Sequence, residues 1–255
     1  MDLLSGSSGA LLGLLTLFEQ TLDRDLLERA SICGDRLIES QEENGDLNQW
    51  VTLNSNVLPG LAHGVAGIAM ALVRLHAASK DTKYLHAAER GFAFVHSAYS
   101  KEHGTWPDVI YNSKNFKRQP LYLSQWCHGS AGIGLARLDC LDYLNCNIAL
   151  EDVNNAISNI LTKKASALDQ LCCGNFGRLE LLISASDKLN DPSLLAIAKK
   201  RGAQLVSRAN KNGQFGWASG TDKQNPTLYF GMAGVGYQLL RLMQPEKLAS
   251  LATWR

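Results

Sequence analysis

A short glycine pattern, Gly-x-x-Gly leading into an apolar run, recurs five times along this chain. The instances are Gly6-Ser-Ser-Gly9, Gly64-Val-Ala-Gly67, Gly129-Ser-Ala-Gly132, Gly174-Asn-Phe-Gly177 and Gly231-Met-Ala-Gly234. Their first glycines stand 58, 65, 45 and 57 residues apart. One such match carries little weight. Five at related intervals mark a repeat architecture, in which each unit is one supersecondary element. The runs that follow, such as AGIAMALVRL from Ala66 and AGVGYQLLRL from Ala233, are apolar around most of a helical circumference. Helices of that kind are buried.

Between them lie amphipathic stretches at Leu26–Gln41, Lys83–Ser100, Asp152–Ser166 and Pro192–Lys211, with period-3.6 apolar faces. Buried inner helices alternating with half-exposed outer ones predict an all-α chain. Units of this kind close into an α/α toroid or stack as an open solenoid. Short β-like pieces are expected at Trp50–Leu53, Thr105–Tyr111 and Gln214–Trp217, and polar loops at Glu42–Gln49 and Tyr111–Gln119. No composition shift divides the chain, so residues 1–255 read as one domain.

The formal net charge of +1 offers no bulk field for nucleic acid or an anionic membrane. No apolar run reaches the roughly 18 residues of a membrane span. The run Ala10–Phe18 is short and follows Asp2 instead of a basic segment, so it does not read as a secretion signal. The six cysteines then read as reduced thiols or metal ligands in a cytoplasmic protein.

The polar residues share the repeat's register. His63 stands just before Gly64, Cys127 and His128 before Gly129, Cys172 and Cys173 before Gly174, and Asp2 four residues before Gly6. If the inner helices run side by side in one direction, these residues converge at one end. Cys127, Cys172 and Cys173 can fill three tetrahedral positions of one zinc ion (Zn2+) and leave a fourth open. Soft sulfur ligands disfavour magnesium and calcium. Plainer readings stand beside this one. Cys172 and Cys173 can be core thiols, His63 a structural histidine, and Asp2 a terminal acid or a helix cap. His128 reads as a partner behind the ligands. Cys33, Cys140 and Cys146 read as core, and Trp106 and Trp126 as packing.

Gly60-Leu-Ala-His63-Gly-Val-Ala-Gly-Ile68, Trp126-Cys-His-Gly129, Cys172-Cys-Gly-Asn175 and Gly231-Met-Ala-Gly-Val-Gly-Tyr237 resemble the motifs of the lanthionine synthetase C-like family, in the family's order. The nearest likeness is to the C-terminal cyclase domain of class II lanthipeptide synthetases. Cys-Cys-Gly in place of Cys-His-Gly is similar to the family's three-cysteine type. The resemblance implies a toroid of seven helical hairpins and one zinc ion held by Cys127, Cys172 and Cys173. It implies His63 as the catalytic histidine and Asp2 as the family aspartate. The implied activity adds a peptide cysteine to dehydroalanine or dehydrobutyrine, with a dehydrated precursor peptide as partner.

Two departures qualify the resemblance. Leu123 stands where some members carry an arginine, although Arg118 is close by. Seven repeats of about 56 residues would need roughly 390. The chain therefore reads as beginning at the second repeat, with a separate dehydratase or an N-terminal chain as a further partner. On that reading Leu11, Leu14 and Leu15 face a gap. A non-catalytic module that binds zinc or a leader peptide is the alternative function. A glycosidase would need paired acids, for which Asp2 and Asp108 are the candidates.

Overall fold

The computed structural model describes residues 1–52, 55–112, 117–144, 146–218 and 225–254. Helices dominate: α1 (Ser7–Thr21), α2 (Arg24–Glu39), α3 (Val65–Ser79), α4 (Thr82–Ser97), α5 (Ser130–Cys140), α6 (Cys146–Thr162), α7 (Asn175–Lys188), α8 (Pro192–Asn212) and α9 (Met232–Met243). Each of the five glycine patterns opens an odd-numbered helix, with Gly6, Gly64, Gly129, Gly174 and Gly231 as N-caps. None of these five helices has a side-chain cap. Three outer helices do: Asp23, Asp81 and Asp191 each accept a hydrogen bond from the backbone N–H two residues on.

Odd-numbered helices form the inner layer. α1 packs on α3, α3 on α5, α5 on α7 and α7 on α9, while each of the first four pairs with the outer helix that follows it. This is the α/α toroid arrangement. Among the described residues no comparable packing joins α9 to α1. In α3, Val65 through Leu75 are all buried, so its apolar circumference meets neighbours on every side. On α1, Leu11 and Leu15 are buried and Leu14 packs on the core, contrary to the gap expected for them. The outward face of α1 carries Leu17 instead, and that of α9 carries Leu240 and Met243.

The second glycine of each pattern has a steric cause. A Cβ there would lie 1.8–2.1 Å from the carbonyl oxygen six residues earlier, at Leu3, Leu61, Trp126, Leu171 and Leu228 in turn. Each inner helix therefore seats its first turn directly on the loop that leads into it. Gly129 adds a conformational requirement: its φ is +93°, outside the range that suits other residues.

The β content differs from expectation. Glu42–Gln49 is a hairpin instead of a loop, with β1 (Glu42–Asn44) paired to β2 (Leu47–Gln49) around Gly45, whose φ is +62°. The overlooked signal is Gly45-Asp46, a two-residue connection whose leading glycine suits a tight hairpin turn. Trp50 is not in a strand; it is fully buried, and its indole N–H donates to the Leu37 carbonyl at 2.7 Å. Of Tyr111–Gln119, Tyr111 and Asn112 end β3 (Pro107–Asn112) and Lys117–Gln119 open β4 (Lys117–Tyr122), which pair antiparallel, while residues 113–116 lie outside the described residues. Gln214–Trp217 forms no strand. Among the described residues, no helix is long and apolar enough to cross a membrane.

Candidate metal centre and its histidine pairs

The loops that precede the inner helices are joined by their backbones. Leu4 N–H donates to Ala62 C=O, Ala62 N–H to Cys127 C=O, Cys127 N–H to Cys172 C=O, and Cys172 N–H to Tyr229 C=O, at 2.9–3.4 Å. All five residues stand two places before the first glycine of their repeat. The bonds gather the five helix N-termini at one end of the inner layer and form a ladder around its mouth. The next place along holds Ser5, His63, His128, Cys173 and Phe230. The chemistry-bearing side chains thus occupy two consecutive repeat positions, where the sequence suggested one.

Two of these loops supply the thiols. Cys127 and Cys172 are buried, and Cys173 is half-buried. Cys173 Sγ lies 3.5 Å from Cys127 Sγ and 3.3 Å from Cys172 Sγ, and all three sulfurs fall within 4.8 Å of one another. A tetrahedral zinc with Zn–S bonds of about 2.3 Å sets its sulfurs about 3.8 Å apart, so this donor set fits the ion with small adjustments. The cluster also divides its protons unequally. Hydrogen bonds from Cys127 and Cys172 hold the Cys173 thiol down at about 3, helped by the nearby His128. Hydrogen bonding to Cys172 and Cys173, together with burial, pushes Cys127 well above the usual thiol range. A cation entering among them would relieve that crowding of charge.

The histidines form two matched pairs. His63 Nδ1 lies 3.1 Å from Asp2 Oδ2, and His128 Nδ1 lies 3.0 Å from Asp108 Oδ2. The two imidazoles are stacked, with centroids 6.0 Å apart. Asp2 is buried, not an exposed terminal acid, and its Oδ1 accepts from the Ser5 N–H at 2.8 Å. A carboxylate at Nδ1 fixes the tautomer and leaves Nε2 free for proton transfer. The structure therefore brings together Cys127, Cys172 and Cys173, and separately pairs Asp2 with His63. Sequence reasoning missed the bond between His128 and Asp108. Its available signal was the register His128 shares with His63, which implies a second acid.

Other candidates are structural. Trp126 is fully buried, donates from its indole N–H to the Ala252 carbonyl and stacks on Tyr229 at 4.6 Å. Trp106 donates to the Val95 carbonyl. Cys140 is buried and Cys33 half-buried, as core thiols are. The side chains of Cys146 and Arg118 lie outside the described residues.

Comparison with known proteins agrees with this architecture. The lanthionine synthetase C-like protein family matches residues 1–253. The lacticin 481/lactococcin biosynthesis protein LcnDR2 of Lactococcus lactis subsp. lactis is 26% identical over 200 residues, which cover 72% of this chain and 20% of that protein. Nisin cyclase superimposes with a TM-score of 0.69 at 17% identity, over 99% of this chain and 66% of that one. This chain thus spans a fifth of the first relative and about two thirds of the second. With the family match running almost end to end over five glycine-opened inner helices, the chain belongs to the lanthionine synthetase C-like family.

Proposed function

We propose that this chain is a zinc-dependent peptide cyclase that forms lanthionine or methyllanthionine thioethers, acting on a dehydrated precursor peptide. One observation carries the reading: three thiols from two loops far apart in sequence lie within 4.8 Å of one another at the mouth of the inner layer. Core packing alone gives no reason to gather three thiols beside two histidine–aspartate pairs.

In this reading Cys127, Cys172 and Cys173 hold one zinc ion. When bound, the ion supplies a Lewis acid with one open position, which makes a peptide thiol acidic near neutral pH. The chain's residues handle the protons. His63, with Nδ1 committed to Asp2, presents Nε2 to take the proton of the peptide thiol or to deliver one to the α-carbon after the sulfur adds to the β-carbon. Asp2 holds the ring in the orientation and tautomer that this transfer needs. The uncapped N-termini of the inner helices add partial positive charge toward developing anions. Three thiolates and a substrate thiolate around a dication sum to a charge of about −2, which favours a loosely held, nucleophilic sulfur.

The test is zinc content alongside single-turnover cyclisation of a dehydrated peptide. Wild-type protein is expected to hold one zinc per chain, and Ala at Cys127, Cys172 or Cys173 to remove most of it. Stoichiometric zinc retained in both Cys172→Ala and Cys173→Ala would refute the ligand set. Zinc without ring formation would leave a binding module.

A further inference from the structure

A second polar site lies behind the cysteine loop, between α7 and α8. Here a cavity of about 360 Å³ is lined by Lys163, Lys164, Arg178, Arg201 and Arg208, and no carboxylate lines it. The charge is concentrated well beyond what a chain of net charge +1 would distribute by chance. α8 alone carries Lys199, Lys200, Arg201, Arg208 and Lys211 and no acid along its 21 residues.

The cations differ in how far they are already committed. Arg201 donates to the carbonyls of Ile160 and Leu161 at 2.7 and 2.6 Å. Arg208 donates to the Ser166 carbonyl and to the buried carboxylate of Asp169. Both therefore serve the fold, pinning the end of α6 and the segment before Cys172. Arg178 does not. Its Nη1 makes one long bond of 3.3 Å to the Lys164 carbonyl, while its Nε is shielded from water and has no acceptor. Burial and the neighbouring Arg201 both disfavour its charge. Lys163 and Lys164 are exposed at the rim and form no ion pair among the described residues. An underbonded guanidinium thus shares one cavity with two ammonium groups that form no ion pair among the described residues, and this cationic lining holds no carboxylate to answer it.

We propose that this cavity binds a phosphate group, held by Arg178 and by Lys163 and Lys164. A tetrahedral dianion supplies acceptors to a guanidinium fork and to point charges at once. The cavity admits free inorganic phosphate or the phosphate end of a small monoester. The ligand would sit against residues 163–166, which lead into the loop of Cys172 and Cys173, yet it would touch neither thiol. The proposal does not depend on the metal or on cyclase activity.

Calorimetric titration of the full chain tests it, with inorganic phosphate in one arm and O-phosphoserine in the other, at constant ionic strength set by chloride. Saturable one-to-one binding is expected, and the tighter of the two arms identifies the source. The double variant Lys163→Ala/Lys164→Ala alters only exposed side chains and should keep the wild-type melting profile. Binding should weaken in it about tenfold or more, the factor carried by one charge-assisted hydrogen bond. Arg178→Met should weaken binding at least as much and leave metal content unchanged. No saturable binding of either anion at about 10 mM, or undiminished binding in the lysine variant, would overturn the assignment.

Discussion

His63 and His128 occupy the same place in successive repeats, and each meets a carboxylate through Nδ1. Their acids come from different sources. Asp2 lies in the loop before α1, whereas Asp108 sits on β3, in a hairpin that the repeat does not encode. That difference explains what was legible. Cysteines and histidines keyed to a glycine could be aligned by counting, so Cys127, Cys172, Cys173 and His63 could be picked out from spacing. Asp108 could not, because a contact across an inserted hairpin leaves no periodic trace. If His63 moves the proton in ring formation, His63→Asn will keep its zinc and slow single-turnover cyclisation by about 10²-fold or more. Asp2→Asn will fall roughly 10- to 100-fold short of wild type, as expected for a residue that orients another. An unchanged rate in His63→Asn would remove it from the mechanism, and lost zinc would make it a ligand.

At the level of the element, the inner helices were readable because burial on all sides leaves an all-apolar signature, and the outer ones because half-burial leaves a stripe. The hairpins were less so. Glu42, Glu43 and Asn44 are exposed throughout, so β1 carries none of the alternation that identifies a half-buried strand. The glycines give this level its sharpest test. In Gly67→Ala the new methyl meets the Leu61 carbonyl at 2.1 Å, so the helix must lift from its loop. A loss of about 3 kcal/mol or more in urea unfolding is expected, at the upper end of overpacking costs. Gly13→Ala lies in α1 with nothing within 4 Å of its Cβ. It should instead stabilise the protein by about 0.5–1 kcal/mol through helix propensity. Equal effects at the two positions would refute the steric account.

Across the whole molecule, buried ion pairs tie helices together, two of them between neighbours of the inner layer and one from the inner layer to the outer. Arg74 on α3 meets Asp139 on α5, Arg137 on α5 meets Asp152 on α6, and Arg241 on α9 meets Glu180 on α7. The last is the most connected, because Glu180 also accepts from Gln238 at 2.7 Å while Arg241 donates to the Leu248 carbonyl. Glu180→Ala strands the Arg241 charge in the interior and should cost about 3–5 kcal/mol, read as a lowered urea midpoint. An unshifted midpoint would mean that α9 is held by other contacts. The ladder around the mouth has a different kind of consequence. It is made only of main-chain atoms, so it constrains where five side chains stand and not what they are. Leu4, Ala62 and Tyr229 occupy rungs equivalent to those of Cys127 and Cys172. The frame is therefore indifferent to its occupants: a thiol, a phenol or a methyl group can change places on it while the scaffold beneath keeps its bonds, and a reaction centre can be rewritten one rung at a time.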